Sequence, residues 1–126
     1  MPSGREKTTI MSKWIKAWNK FLVEQGVEEI VDYDLSKVSH VVDQVILGSV
    51  RNGRHMNAVC EEAMRWSKEN QFGMIAADGL ETLEWVVMDY GHYMVHIILP
   101  ETRERIDLEG FWQELLVKKS RGSGPE

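Results

Sequence analysis

Residues 85–99 read W-V-V-M-D-Y-G-H-Y-M-V-H-I-I-L, the longest part of the chain dense in β-branched and aromatic residues. Val, Ile, Tyr and Trp suit a pleated, half-buried surface, so both halves read as strands. Gly91 interrupts the run at its midpoint and supplies the backbone freedom that a reversal needs. The stretch therefore predicts a β-hairpin, Glu84 to Tyr90 and Tyr93 to Leu99, turning through Gly91 and His92. Val86, Val87 and Met88 form the near-continuous apolar run of a covered strand. Asp89, Tyr90, His92 and His96 set polar or amphipathic groups into the same hairpin. They are either ordinary surface residues or the place where the protein touches something.

Outward from the hairpin, the chain has the size of one domain, 126 residues, enough for a single core. The lone Cys60 has no internal disulfide partner, as expected in a reducing compartment. No run approaches the roughly 18 apolar residues of a membrane span. A cytoplasmic protein is the expectation.

The net charge of −5 conceals an asymmetry. Residues 1–20 carry Arg5, Lys7, Lys13, Lys16 and Lys20 against Glu6 alone, whereas residues 78–114 hold nine acids against Arg103 and Arg105. Such an acidic half repels nucleic-acid phosphate and favours a basic protein surface. A solvated acidic face that only aids solubility is the plainer reading.

The flanking elements follow from periodicity. Ile10, Met11, Trp14, Ile15, Trp18, Phe21 and Leu22 recur at helical spacing, with Gly26 as C-cap. Strands are expected over Val27–Tyr33 and, more strongly, within Val38–Val50, where Val41, Val42, Val45, Ile46 and Leu47 read as buried. Asp43 inside that run must be paired, hydrogen-bonded or at a strand end. Met56, Val59, Cys60, Ala63 and Met64 mark a helix packed on a sheet, closed by Asn70 and Gly73. Met74–Ala77 reads as a short strand. After the hairpin come Pro100, a charged linker Glu101–Arg105, and a helix starting at Asp107 with Leu108, Phe111, Trp112, Leu115 and Leu116 on one face. The order αββαβββα predicts a single-domain α/β sandwich with a mixed five-stranded sheet, the second and third strands joined by one right-handed crossover. The domain should occupy residues 9–117, between a disordered N-terminus (1–8) and a disordered tail (118–126).

Chemistry is sparse. Gly48-Ser49, after a strand and before a helix, could cradle phosphate with Arg51 and Arg54. Nucleotidyl transfer would also need paired strand carboxylates to hold metal ions, and Val59-Cys60-Glu61-Glu62 lies in a helix with no Asp-x-Asp behind it. A nucleotide-binding or nucleotidyltransferase-like enzyme using that loop remains the alternative. His92 and His96, four residues apart on a strand, are separated by about 13 Å, too far to share one metal ion. Cys60 on an apolar stripe reads as a structural thiol. No catalytic residue, metal site or cofactor is assigned. Trp85, at a strand start between acids, is the tryptophan suited to an interface. Pairing of the hairpin edge with a second copy would instead make the chain a dimerisation module.

The hairpin Trp85-Val86-Val87-Met88-Asp89-Tyr90-Gly91, followed by Val95-His96, resembles the W-x-x-x-D-[YL]-G-D-x-x-V-H signature of the ribosomal silencing factors, the Iojap family. Asp43, ten intervening residues and Arg54-His55 are similar to its second signature, and the final helix with Phe111-Trp112 to its C-terminal E-x-x-W ending. The likeness covers about residues 12–117. His92 stands where the family has Asp, and Gly48-Ser49-Val50 departs from its Thr-Gly-Thr/Ser.

The resemblance implies a nucleotidyltransferase-like fold without catalytic acids, and a translation factor rather than an enzyme. Family members bind ribosomal protein fourteen of the large subunit and block joining of the small subunit; organellar relatives assist large-subunit assembly. On that expectation Trp85, Asp89, Tyr90 and Gly91 form the partner-binding surface. Arg54, His55 and His96 are candidates for a further partner or ribosomal RNA contact, Arg54 and His55 alternatively for contact with Asp43, and His96 for orienting the hairpin or a neighbouring side chain. The resemblance further implies a monomer or homodimer in the bacterial cytoplasm, away from membranes.

Overall fold

A computed structural model of the chain describes the backbone of residues 4–40 and 42–122, and the side chains of residues 13–40 and 42–116. Nine elements follow one another: α1 (Gly4–Glu24), β1 (Glu28–Asp34), β2 (Gln44–Ser49), α2 (Gly53–Glu69), β3 (Ala76–Asp78), β4 (Trp85–Asp89), β5 (Tyr93–Ile98), α3 (Pro100–Ile106) and α4 (Leu108–Gly122). The strands form one mixed sheet in the order β1-β2-β5-β4-β3, with β2 and β5 parallel and every other neighbouring pair antiparallel.

The expected mixed five-stranded α/β architecture is what the chain adopts, with one helix more than periodicity shows. Residues 100–106 form helix α3 and not a charged linker. Pro100 suits the first helical turn because its missing N–H has no intrahelical acceptor there. Thr102 and Arg103 are buried, so the helix is held by contacts that an amphipathic pattern does not show.

Other boundaries also move. β2 begins at Gln44; residues 36–38 form a turn, and Val41 lies outside the described residues. Strands β2 and β3 run in the same direction but are not neighbours, since β5 and β4 lie between them. Helix α1 begins at Gly4, ahead of residue 9, and α4 continues to Gly122, past residue 117. Residues 1–3 and 123–126 of the expected disordered ends lie outside the described residues, as do the side chains of Ile10 and Met11.

Alternation along the strands sends two sets of side chains to opposite faces. On one face, packed by α1 and α2, lie Ile46, Val86, Met88, Tyr90, Tyr93, Val95 and Ile97, in one core with Ile15, Trp18, Phe21 and Leu22 of α1 and Met56, Val59, Cys60 and Ala63 of α2. Trp18 is fully enclosed, edge-on to Trp66 at 4.9 Å, and its indole N–H donates to the Tyr93 hydroxyl at 2.9 Å. The other face carries a second core of Leu35, Val45, Leu47, Ile98 and Trp112, with Trp85, Met94, Leu108, Leu115 and Leu116 packed around it.

Helix ends are closed by local bonds. At the end of α1, Gly26 has φ +78°, its N–H donates to Val23 O, and Val27 N–H to Leu22 O, the paired bonds of a Schellman cap. At the start of α2, Asn52 Oδ1 accepts from His55 N–H at 2.9 Å, satisfying an orphan donor. Its other end closes through Gln71 (φ +57°) rather than Gly73, with Gln71 N–H on Lys68 O and Phe72 N–H on Ser67 O.

Candidate functional site

The hairpin turns where expected. Tyr90 N–H donates to Tyr93 O, leaving Gly91 and His92 as a two-residue loop. Gly91 has φ +90° and His92 does not share a positive φ, the pattern of a II′ turn whose twist suits a right-handed hairpin. Asp89 Oδ1 accepts the Gly91 N–H at 2.8 Å and so pins the turn.

Register separates the four residues expected to bind a partner. Val86, Met88 and Tyr90 point into the main core, while Trp85, Val87 and Asp89 alternate to the second face. Tyr90 is therefore no surface contact. Its ring stacks on Tyr93 at 5.0 Å, its hydroxyl donates to Ser67 Oγ at 3.0 Å, and burial pushes its pKa up to about 12. Trp85, Asp89 and Gly91 are half-buried, with part of each left at the surface.

Beyond Trp85 the second face loses its cover. Val87 and Asp89 are half-buried and belong to neither core. Their partners across the sheet, Asp78 opposite Val87 and Ala76 opposite Asp89, are exposed on the edge strand β3. An apolar strip with two carboxylates thus borders the half-buried Trp85. Gly79 shapes its margin: with φ +94°, a Cβ there would stand 2.0 Å from Trp85 O, so only glycine lets the two backbones approach.

His96 lies under this strip, 6 % exposed. Its Nδ1 accepts the Trp85 indole N–H at 3.1 Å, the two rings stack at 6.0 Å, and Trp112 meets the imidazole nearly perpendicular at 5.2 Å. Burial in this aromatic bed lowers the His96 pKa to about 4. Among the described residues, the buried side-chain nitrogens and oxygens without a partner are His96 Nε2 and Gln44 Oε1.

The other expected residues divide between scaffold and surface. His55 is buried at the joint of α1 and α2: Nδ1 accepts from Arg51 N–H at 3.0 Å and Nε2 donates to Gln25 O at 2.8 Å. Both ring nitrogens are occupied, so His55 serves as a fastening of this joint. Arg54 beside it is exposed. Asp43 stands just before β2 and meets the hairpin turn, donating its N–H to His92 O at 2.8 Å and placing Oδ2 3.6 Å from His92 Nδ1.

The Gly48-Ser49 cradle is not formed. Both residues end β2 inside the sheet, and a Cβ at Gly48 would lie 2.4 Å from Val27 Cγ1, so glycine serves strand packing. Ser49 Oγ accepts from Arg103 Nη1 at 2.8 Å, while the same guanidinium donates to Glu29 O at 2.9 Å and to Glu109 Oε1 at 2.6 Å. Arg103, which sequence reading placed in a linker, fastens β1, β2, α3 and α4 together. Nothing local in the sequence marks it; only its distance in space from Glu109, six residues on, reveals the pairing. Burial pushes the Cys60 thiol up to about 11, which leaves it protonated and inert. A groove of about 500 Å³ lined by Met64, Ser67, Lys68, Gln71, Gly73 and Met74 brings no acid–base pair together. Among the described residues, no three His, Cys, Asp or Glu side chains converge as a metal site requires, and no helix is long and apolar enough to cross a membrane.

The sequence over residues 9–123 matches the family model described as "Ribosomal silencing factor during starvation". The chain belongs to the ribosomal silencing factor family. It is 28 % identical over 85 residues to the ribosomal silencing factor RsfS of Chromobacterium violaceum, covering 68 % of this chain and 70 % of that one. A mouse protein named for mitochondrial assembly of the ribosomal large subunit is 24 % identical over 94 residues, covering 72 % of this chain but 41 % of that one. In fold, the chain is similar to a Chromobacterium violaceum crystal structure, with TM-score 0.77 and 25 % identity over 81 % of this chain and 85 % of the other. Membership in the ribosomal silencing factor family implies translation regulation. The two segments that carry the resemblance meet in space at Asp43 and His92, whereas Arg54-His55 lies at the α1–α2 joint.

Proposed function

We propose that this chain represses translation by docking on ribosomal protein fourteen of the large ribosomal subunit, so that its bulk prevents the small subunit from joining. The observation that carries the reading is the half-buried Trp85 beside the open strip of Val87, Asp89 and Asp78. Aromatic anchors with an apolar surround supply most of the affinity of such interfaces, and flanking charge supplies selectivity and association rate. Asp89 and Asp78 select a basic partner surface, in keeping with nine acids against two bases over residues 78–114. Gly91 and His92 form the rim at the turn, and exposed Arg54 is left for a separate ribosomal RNA contact. Family membership supports the ribosomal partner, and the name of the mouse relative supports the large subunit.

The test is co-sedimentation of the purified chain with isolated large and small subunits. Binding to the large subunit alone is expected, weakened at least about tenfold by Trp85→Ala, the scale of a hot-spot truncation, and also weakened by Asp89→Lys. Wild-type protein that stays in the supernatant at low salt, or that sediments equally with both subunits, overturns the reading.

A further inference from the structure

Tryptophan is an awkward anchor when its N–H faces a partner, because the indole donor loses water on docking and the partner must return an acceptor. In this chain the donor is already engaged from below: Trp85 Nε1 lies 3.1 Å from His96 Nδ1. The polar atom of the indole is thus already partnered within the protein, and the rest of the half-buried ring is carbon.

The acceptor fixes its own chemistry. To receive an N–H, Nδ1 must be unprotonated, so a neutral imidazole carries its proton on Nε2. That nitrogen is buried without a hydrogen-bond partner, and the ring it belongs to meets Trp112 of α4 at 73° and 5.2 Å. The aromatic contact offsets only part of a missing bond. The cost of leaving Nε2 unpaired is accepted at a position where an apolar residue would pack without it. Packing alone does not account for a histidine here.

We infer that His96 is the positioning residue of the docking surface: its Nδ1 holds the Trp85 indole in one orientation and removes any need for the partner to offer an acceptor. This rests on the proposed docking role of Trp85 and adds to it the chemistry of the partner's socket, an apolar recess for the indole carbon with a cationic group at its margin for Asp89. Through Trp112, the seat of Trp85 is also tied to α4.

Asparagine and glutamine distinguish this role from bulk packing. Asn places an amide oxygen near the position of Nδ1, whereas Gln extends its amide toward that of Nε2. In ¹⁵N-labelled full-length protein, the Trp85 indole N–H signal, assigned by its loss in Trp85→Phe, reports the tether directly, and co-sedimentation with large subunits reports docking. His96→Leu and His96→Gln are expected to shift that signal, to speed its hydrogen exchange about tenfold, and to weaken docking about tenfold, the loss of roughly one buried hydrogen bond. His96→Asn is expected to keep both within about threefold of wild type. The inference is overturned if Leu and Gln leave the Trp85 signal in place, if they release it without loss of docking, or if Asn falls as far as they do. Should Leu not fold, the Asn and Gln pair decides. If Trp85→Ala itself docks as wild type, the docking reading fails, and the indole signal still decides whether His96 holds Trp85.

Discussion

The two faces of the sheet solve burial in different ways. On the face packed by α1 and α2, large aromatic rings find buried partners for their polar atoms, Trp18 with Tyr93 and Tyr90 with Ser67, and the result is a closed core. On the other face, the core of Leu47, Ile98 and Trp112 gives out at Trp85. There a histidine is buried with one nitrogen unpaired, and the edge beyond it is acidic and open. The first face is organised for stability. The second gives up some stability to keep an aromatic residue half outside, the usual trade at a site that has to bind.

The sharpest way to break that contrast is to damage the first face. Trp18→Ala removes a fully enclosed indole, and truncations of this kind cost about 4 kcal/mol. Urea denaturation should show the loss, while the fraction that remains folded at low temperature should still sediment with large subunits. Loss of docking in step with Trp85→Ala would mean that the two faces do not divide the work.

Next in size is the joint between the second face and its helices. Arg103→Met keeps apolar bulk but takes the guanidinium donors from Glu109 Oε1, Ser49 Oγ and Glu29 O, leaving the Glu109 carboxylate only the long bond from the Tyr33 hydroxyl. Removing one member of such a buried pair should lower stability by roughly 3 kcal/mol, tempered by the partial exposure of Glu109. The midpoint of urea unfolding measures it, and a change under about 1 kcal/mol would place Arg103 among ordinary surface ion pairs.

What the sequence made legible follows this division. The first face was readable because its residues obey two simple periods: Trp14, Trp18, Phe21 and Leu22 recur at helical spacing, and Val86, Met88 and Tyr90 alternate. Gly91 announced the turn for a reason specific to its φ. Helix α3 was hidden, since Pro-Glu-Thr-Arg-Glu-Arg has no apolar stripe and its stability comes from Arg103, a contact between segments distant in sequence. Tyr90 was placed on the wrong side of the hairpin because neighbouring strand residues face opposite ways, and motif proximity to Trp85 and Asp89 says nothing about face. The surroundings of His55 are illegible for a related reason. A histidine at a helix start looks available until the carbonyl of Gln25, just beyond the end of α1, is seen to occupy it.

A smaller effect separates the faces by pH. Burial lowers the His96 pKa from 6.5 to about 4, so below 6.5 the unfolded chain takes up a proton that the folded chain refuses. Stability from this group is therefore complete above pH 6.5, falls as pH drops toward 4, and changes no further below that. Between pH 7 and about pH 4.5 the loss should be about 2 kcal/mol. Carboxylates titrate in the same window, so the quantity to measure is the difference between wild type and His96→Asn, whose position 96 cannot charge. Parallel urea midpoints for the two proteins across that window would show His96 to be open to water in the native state.

The finest cut is made at adjacent residues of one strand end. Tyr90→Phe removes only the hydroxyl that bonds Ser67, in the main core. It leaves Ser67 Oγ with its bond to Met64 O, so the cost should be about 1 kcal/mol. Asp89 sits one position earlier and faces the other way. Asp89→Asn keeps an oxygen able to accept the Gly91 N–H while removing the charge, so its stability should scarcely change and its association rate with large subunits should fall, most visibly at low salt. Each variant thus moves the measurement that the other leaves alone. If Tyr90→Phe slows docking while Asp89→Asn does not, the partner reaches the protein from the helix-packed side, and the open strip is only a solvated acidic edge.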